Sequence, residues 1–471
     1  MDALKSGTLL ALHLVCLTAA PLLAAPGAEF ATDDEGIVGT YRRTVPLIDF
    51  DAAKARDEKD KPRVAQRQQQ LLQERYDLGD RPGQSQMSGG RKAVQSGVRV
   101  KLAAGQTWDK LAQLSPEEIK KQNLFPMGFR PLPHVKHETG GQVFPNFEID
   151  EIDKQEHRQL RRFDVDFDLP DHLLPEFPPP IFLQQRPELG DVSHGEVITT
   201  RNFFRIFNGI ITPVQMEGLR LLLQPNPQEE FNQTDDRKVA EPQFGVACLD
   251  CHTNFHTNGA FHLTPDVRPQ ERRFRLDTTS LRGLFNQQIH GSKRSLRSVE
   301  DFSEFEQRTA YFNGDHVAAD KKGTFQPNRT NQVSLMAQMQ NMIDFPPAPK
   351  LDAFGMLDKT KASKLELAGE KVFHGKGRCA ECHSGAGFLD QQMHDLQLQR
   401  FYTSEVINGQ NNAAEGPIKT FTLRGIKDSP PYLHDGRLLT LEDTVEFFNL
   451  VLQLKLSSEE KQSLVAYMLA L

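Results

Sequence analysis

Two five-residue strings contain the residue types best suited to chemistry in this chain: Cys248-Leu249-Asp250-Cys251-His252 and Cys379-Ala380-Glu381-Cys382-His383. Each places two thiols about one helical turn apart, with an imidazole directly after the second thiol. This spacing is typical of covalent haem c attachment, in which the thiols form thioethers with the porphyrin and the His binds iron. We therefore expect two covalently bound haem c groups, with His252 and His383 as proximal ligands.

Two other uses of paired cysteines fit less well. A zinc ribbon normally has its two Cys-x-x-Cys pairs about 15 to 20 residues apart, and nothing in a ribbon requires a His after both pairs. A redox dithiol would call for a βαβ context, which neither string has. Haem attachment is the interpretation that uses all six residues.

The composition is that of an ordinary globular protein of two or three domains. The formal net charge is −7, and Lys and Arg never form a long run without Asp or Glu between them. We therefore expect no nucleic acid partner and no attraction to an anionic membrane surface.

Residues 1–28 have the pattern of a secretory signal peptide. Lys5 is followed by an apolar stretch from Leu9 to Leu23 and then by small residues. We expect an exported, soluble, periplasmic protein, with an uncleaved membrane anchor as the less favoured alternative. Of the five cysteines, Cys16 lies in this segment and the other four belong to the haem motifs, so no structural disulfide is expected.

A repeat surrounds the two motifs and predicts a duplicated chain. Ser280-Leu281-Arg282-Gly283-Leu284 resembles Thr422-Leu423-Arg424-Gly425-Ile426, and Val299-Glu300-Asp301 resembles Leu441-Glu442-Asp443. Between these blocks, His290-Gly291 and Arg294 resemble His434-Asp435-Gly436-Arg437, which predicts a shared structural task for His290 and His434.

An amphipathic helix is predicted before each motif. Thr212-Pro213-Val214-Gln215 has the pattern of a capping box, and Met216, Leu219, Leu222 and Leu223 follow it on one stripe. Before the second motif the predicted stripe consists of Leu365, Ala368, Val372 and Phe373. A last helix begins at Ser457 and Glu460, with Leu464, Met468 and Leu471 on one face.

Residues 29–195 contain no haem motif and form an N-terminal extension of unknown role. Helical patches are predicted at Val64 to Tyr76 and at Ser115 to Gln122, and the Pro-rich stretch from Leu169 to Pro187 is predicted to be an extended strap. A partner surface, a scaffold and a packed cover over the haem edges all remain open for this part of the chain. Few segments of this length stay unstructured in compact proteins, which favours a packed cover.

The motifs Thr422-Leu423-Arg424-Gly425 and Pro430-Pro431-Tyr432-Leu433-His434-Asp435-Gly436-Arg437, together with both haem motifs, resemble the bacterial di-haem cytochrome c peroxidase and MauG superfamily. The resemblance covers roughly residues 200–471. It implies a mainly α fold with two cytochrome c-like haem domains in tandem, at 196–348 and 349–471, following the irregular extension. It also implies that the haem at Cys248, Cys251 and His252 reacts with hydrogen peroxide.

The resemblance implies a peroxidase that reduces hydrogen peroxide to water with electrons from a small periplasmic donor, such as a monohaem cytochrome or a cupredoxin. One alternative is a MauG-like oxidase that acts on a protein or organic substrate through ferryl haem. A second alternative is an electron-transfer cytochrome without catalysis. A homodimer is compatible with the resemblance.

Glu306 and Gln307, and secondarily Glu304, lie where the family has its distal catalytic groups. Such a group takes a proton from one peroxide oxygen and returns it to the other. The alternative interpretation is a charged helix surface. His262 is a candidate distal ligand of the first haem iron, or else a structural histidine.

Several positions depart from the family pattern or extend it. Phe448 stands where a Met or Tyr normally binds the second iron, so this ligand is either absent or comes from elsewhere, with Met393, His394 and Tyr402 as candidates. The family's Trp between the haems has no counterpart, because the single Trp is Trp108. Arg282 and Arg424 suit pairing with haem propionates. Calcium is an implied second cofactor, although Phe421 replaces the Pro usual near that site.

Overall fold

The computed structural model describes residues 50–132, 142–157, 169–225, 246–263, 275–307, 330–403, 406–407, 410–411 and 415–471. The predicted signal peptide, 1–28, lies outside these ranges. The fold is rich in helix and has little sheet. In chain order the helices are α1 (Phe50–Arg75), α2 (Trp108–Gln113), α3 (Pro116–Lys121), α4 (Asn146–Glu156), α5 (Phe203–Phe207), α6 (Pro213–Leu223), α7 (Cys248–Cys251), α8 (Val299–Phe305), α9 (Thr330–Gln340), α10 (Lys364–His374), α11 (Leu441–Val451) and α12 (Ser458–Met468).

The strands are short and antiparallel. They are β1 (Pro82–Gln86), β2 (Ala93–Gln95), β3 (Gln142–Val143), β4 (Phe261–Leu263), β5 (Arg275–Asp277), β6 (Met393–His394), β7 (Val406–Ile407), β8 (Gln410–Asn411) and β9 (Ile418–Lys419). β1 pairs with β2, β6 with β9 and β7 with β8, while β4 lies between β3 and β5. Within the described ranges, no helix has the length and apolar character needed to span a bilayer.

The predicted helix starts are confirmed where the signal is local. Thr212 and Gln215 form a capping box at the start of α6, and Ser115 with Glu118 and Ser457 with Glu460 do the same for α3 and α12. Such a box satisfies backbone N–H groups that have no partner inside the helix. Each start is therefore fixed by residues within one turn.

One predicted stripe is wrong at its start. In α10, Leu365 is 49% exposed, and the buried residues are Phe373, which the stripe included, and Gly369, which it did not. The helix begins at a capping box of Ser363 and Glu366 that the sequence analysis missed. Gly369 had no place in an apolar stripe, yet it defines the packed face, because a glycine allows the closest approach of a second backbone.

The two repeats share one helix crossing. α6 packs on α9, and α10 packs on α12. A Cβ added to Gly218 in α6 would overlap the carbonyl oxygen of Leu335, and one added to Gly369 in α10 would overlap that of Ser463. Both glycines lie six residues after their capping residue. The duplication is thus visible as two equivalent, close helix pairs.

The loops after the motifs repeat with a constant separation of 142 positions. Gly283 and Gly425 both have positive φ and each precedes a 3-10 turn, and Ser298 and Thr440 cap α8 and α11. The β-bridge between His290 and Leu296 recurs between Tyr432 and Leu438. The predicted match of His290 with His434 is therefore wrong by two residues: the structural counterpart of His290 is Tyr432.

The extension packs against the second repeat. Tyr76 and Phe129 share one apolar core with Phe447 of α11 and Tyr467 of α12. The first repeat has a separate core, built on α6 and α9, to which Ile181 and Leu183 of the extension also contribute. The strap from residue 169 to 187 contains no α-helix, as predicted; it includes the 3-10 turn Asp171–Leu173 and ends where a second one, Pro187–Leu189, begins. These contacts favour the interpretation of the extension as a packed cover.

Candidate functional site

The first haem motif forms a single helical turn, α7, and His252 directly follows it. Nδ1 of His252 lies 2.7 Å from the carbonyl oxygen of Thr279. Because a carbonyl oxygen can only accept a hydrogen bond, Nδ1 carries the proton and donates it. This bond fixes the tautomer and leaves Nε2 available to bind a metal. Burial lowers the pKa of His252 to about 4, so the ring is the neutral form that a metal ligand requires.

The second motif repeats this arrangement. Cys379–Glu381 form a 3-10 turn, and His383 Nδ1 donates to the carbonyl of Phe388 at 3.0 Å. The backbone of Phe421, the counterpart of Thr279, also hydrogen-bonds His383. Burial lowers the pKa of His383 as well. None of the four described cysteines is in a disulfide, so both motifs retain every group that haem attachment needs.

A cavity opens beside the first motif. Cys248, Cys251 and His252 line it together with apolar side chains that include Leu222, Leu281, Phe302 and Met336. Two thiols, a neutral imidazole and apolar walls in one cavity are the groups that hold a covalently bound haem.

Glu306 and Gln307 line this same cavity, directly after α8, together with Arg294. The cap at Ser298 fixes the start of α8 and hence the position of both side chains. Burial raises the pKa of the Glu306 carboxyl to about 7, and the charge of Arg294 opposes that rise only in part. A carboxyl that exchanges its proton near neutral pH suits general acid and base catalysis.

Gln307 is 5% exposed, and its Nε2 lies 3.8 Å from the sulfur of Met336. Among the described residues its Oε1 has no hydrogen-bond partner, although it is buried. A buried amide oxygen without a partner is costly, which makes it a candidate to contact a bound molecule. Glu304, in α8, does not line the cavity.

The structure describes the two histidines that follow the first motif to different extents. His256 is fully engaged, because Nε2–H donates to the carbonyl of Asp428 and Nδ1 accepts from the Ser280 hydroxyl, both at 2.8 Å. It joins the first haem loop to the second repeat. His262 lies in β4, where its backbone pairs with Leu276, but its side chain is outside the described part of the structure. Its role as a distal ligand stays a prediction.

Arg282 and Arg424 both donate to protein acceptors. Arg282 forms a buried ion pair with Asp428 at 3.1 Å and donates to the carbonyl of Pro180 at 2.6 Å. Arg424 donates to the carbonyls of Leu471 and Pro346. These contacts give each guanidinium a structural task, and pairing with propionates stays a prediction for both.

The proposed substitutes for Phe448 also have protein contacts. His394 Nε2 lies 2.6 Å from the Asp390 carboxylate, and Tyr402 is buried in a stack with Phe125, with ring centroids 5.4 Å apart. Met393 lies half-buried in β6. Phe448 is the counterpart of Glu306, 142 positions later, so at this place the first repeat has an ionisable side chain and the second an apolar one.

Sequence reasoning assigned no functional role to three residues near the motifs. Arg294 lines the cavity, Lys419 is buried in β9, and Glu148 of α4 accepts hydrogen bonds from Thr253 and Asn258 in the loop after the first motif. The repeat itself could have pointed to Arg294, which lies between its two blocks. Glu148 comes from the extension, and nothing local connects it to the motif.

Comparison with known proteins gives a consistent result. No protein-family model matches the chain. Cytochrome-c peroxidase IdrP1 of Pseudomonas sp. is 27% identical over 26% of the chain, cytochrome c551 peroxidase of Nitrosomonas europaea 30% over 26%, and methylamine utilization protein MauG of Methylorubrum extorquens 28% over 29%. The chain spans 43%, 38% and 42% of the length of these relatives.

Solved structures add no independent support. A MauG-like protein associated with microbial copper homeostasis is 15% identical, with 65% of this chain and 95% of that one covered, but its TM-score of 0.37 is too low to indicate a shared fold. The sequence matches are to oxidoreductases. The chain is therefore related, through the part that matches, to the di-haem cytochrome c peroxidase and MauG superfamily.

Proposed function

We propose that this chain is an exported di-haem c-type peroxidase that reduces hydrogen peroxide to water with electrons from a small periplasmic donor. One observation carries the proposal: a single cavity brings the first haem motif together with Glu306 and Gln307. An iron ligand, a carboxyl that titrates near neutral pH and an amide in one cavity are the groups that peroxide cleavage needs.

The two repeats would form two cytochrome c-like domains. The equivalent close crossings of α6 with α9 and of α10 with α12 support this arrangement, as do the matched hydrogen bonds of His252 and His383. The proposed domain boundaries remain 196–348 and 349–471, after the signal peptide and the extension. Two haems suit the reaction, because each peroxide requires two electrons.

When bound, the first haem would supply an iron that accepts a peroxide oxygen and the electrons that cleave the O–O bond. Cys248 and Cys251 would hold the porphyrin, and His252 would bind the iron through Nε2. The Glu306 carboxylate would take the proton from the near peroxide oxygen and return it to the far one. The Gln307 amide would orient the peroxide. The overall reaction consumes two electrons and two protons and yields two waters.

Steady-state peroxide consumption by the haem-loaded protein, with a reduced small cytochrome as donor, tests this proposal. We expect turnover in which two donor molecules are oxidised for each peroxide consumed. Oxidation of the iron by peroxide without donor turnover would favour the MauG-like oxidase. Absence of any reaction with peroxide would favour the electron-transfer cytochrome without catalysis.

One observation favours the oxidase as the second candidate. Phe448 cannot bind iron, and the family's Met at this place would raise the haem potential and so favour electron intake from a donor. Within the described part of the chain, His394 and Tyr402 already have protein partners. A second iron with a lower potential would accept electrons from a donor less readily and suit oxidation of a substrate instead.

A further inference from the structure

Lys419 is a buried cation for which the described residues supply no counter-ion. It is 4% exposed, in β9, with its backbone paired to Met393 of β6. Its Nζ contacts the side-chain oxygen of Gln287 and lies 5.0 Å from the centroid of the Phe421 ring. In the described part of the chain, no carboxylate forms an ion pair with it. Burial without a compensating charge lowers the pKa of Lys419 to about 7.

A buried ammonium without a carboxylate partner is unfavourable unless an anion reaches it. Among the described residues, Nζ contacts an amide and an aromatic ring, which stabilise a cation less than a carboxylate does, and the charge of Lys419 also helps to lower the pKa of nearby His290. The position thus has the properties of one half of an ion pair whose other half is not among the described residues.

Lys419 lies between the two haem motifs. Its backbone N–H donates to the carbonyl of Ser292 at 2.9 Å, and Ser292 lines the cavity beside the first motif. Two residues later, the backbone of Phe421 contacts His383 of the second motif. The counterpart of Lys419 in the first repeat, Asp277, lines the first cavity, so this place in the repeat faces a haem site.

We propose that Lys419 is the cationic partner of a haem propionate. This inference rests on the proposed haem attachment. Each haem c brings two propionate carboxylates, which are the anions expected at this junction, and an N–H to carboxylate contact is a strong, charge-assisted one. The contacts of Arg282 and Arg424 with protein acceptors leave this task open to Lys419.

The test is a spectroelectrochemical titration of both haems in Lys419→Met, Lys419→Arg and a control. Without its cationic partner, the propionate charge favours the ferric state, so we expect Lys419→Met to lower the midpoint potential of one haem. Lys419→Arg should restore it. Lys371→Met, which removes an exposed lysine from α10, should leave both potentials unchanged.

The same titration in a Cys248→Ala/Cys251→Ala background, which retains only the second attachment site, identifies the haem. A shift that persists there assigns the propionate to the second haem, and a shift that disappears assigns it to the first. Unchanged potentials in Lys419→Met with both haems attached would overturn the proposal. Absence of covalent haem from the intact mass of the wild-type protein would instead refute the haem attachment itself.

A crystal structure of the haem-loaded wild-type protein provides a second test that does not depend on the folding of a variant. We expect Nζ of Lys419 within hydrogen-bonding distance of a propionate oxygen. A structure with every propionate oxygen out of its reach would contradict the proposal.

Discussion

The carboxyl group of Glu306 is the residue on which the proposed chemistry depends most. Glu306→Gln keeps the size of the side chain and removes the proton acceptor. We expect kcat/KM for peroxide to fall by about 100-fold or more, because a positioned acid or base typically contributes at least that much. Glu304→Gln, two residues away in α8 and outside the cavity, is the matched control and should retain wild-type turnover. Wild-type turnover in Glu306→Gln as well as in Glu304→Gln would remove Glu306 from the mechanism.

The raised pKa of Glu306 gives a pH dependence with a definite sign. The carboxylate form accepts the peroxide proton, and burial raises the pKa of this group to about 7. We therefore expect kcat/KM to rise with pH and to level off above about 7, and to be lost progressively below it. The measurement is a pH profile of kcat/KM for the wild type and for Glu306→Gln. If kcat/KM falls with decreasing pH to the same extent in both proteins, the pH dependence belongs to another group.

At the residue scale, the sequence predicted the attachment residues because every one of them lies within a five-residue string. It also predicted Glu306 and Gln307 by resemblance. The burial that makes Glu306 useful could not be predicted, since the cavity is lined by α6, α8, α9 and the motif loop, which are distant in sequence. Lys419 was missed for the same reason: its missing counter-ion becomes apparent only in three dimensions.

Among the helices, the close crossing of α10 on α12 is the contact most sensitive to a single methyl group. Gly369→Ala places its Cβ against the carbonyl of Ser463, which the backbone of α12 can avoid only by moving. We expect a loss of about 1 to 3 kcal/mol in the free energy of unfolding, the usual cost of overpacking. Chemical denaturation measures it. Lys371→Ala, on the exposed face of the same helix, should change stability by less than about 0.5 kcal/mol.

Gly218→Ala in α6 should reproduce this loss, because it meets the carbonyl of Leu335 in the same way. If Gly369→Ala destabilises and Gly218→Ala does not, the two helix pairs are not equivalent and the duplication is only superficial.

The starts of the helices could be predicted from the sequence. The residue-by-residue alignment of one repeat with the other could not. The boxes at Thr212 and Ser457 are local and were confirmed. The match of His290 with His434 followed residue type, whereas the backbone hydrogen bonds place His290 opposite Tyr432. Leu365 was placed in a buried stripe because leucine is usually buried, but the contact face of α10 is set by Gly369.

For the molecule as a whole, the extension and the second repeat share one core, and this predicts that they unfold together. Phe129 is fully buried and contacts Phe447 edge-on, with ring centroids 5.2 Å apart. Phe129→Ala should cost about 3 to 5 kcal/mol. Met127→Ala, at a 41% exposed position of the same 3-10 turn, is the matched control and should be nearly neutral.

Two signals follow this transition separately. Trp108, the single tryptophan, lies 5.3 Å from Phe129 by ring centroids and reports on the extension by fluorescence. In Cys248→Ala/Cys251→Ala, which retains only the second attachment site, haem absorbance reports on the second repeat. We expect the two denaturation curves to coincide in this variant. A fluorescence transition at lower denaturant concentration than the haem transition would show that the extension folds as an independent unit.

The measurement that tests the central claim most directly is peroxide reactivity of protein that carries one haem at a time. With Cys248→Ala/Cys251→Ala, peroxide should no longer oxidise the reduced protein rapidly. With Cys379→Ala/Cys382→Ala, rapid oxidation should persist while donor-driven turnover is lost. This outcome would place peroxide chemistry at the first motif, beside Glu306. Rapid reaction retained in the first variant and absent from the second would contradict the account.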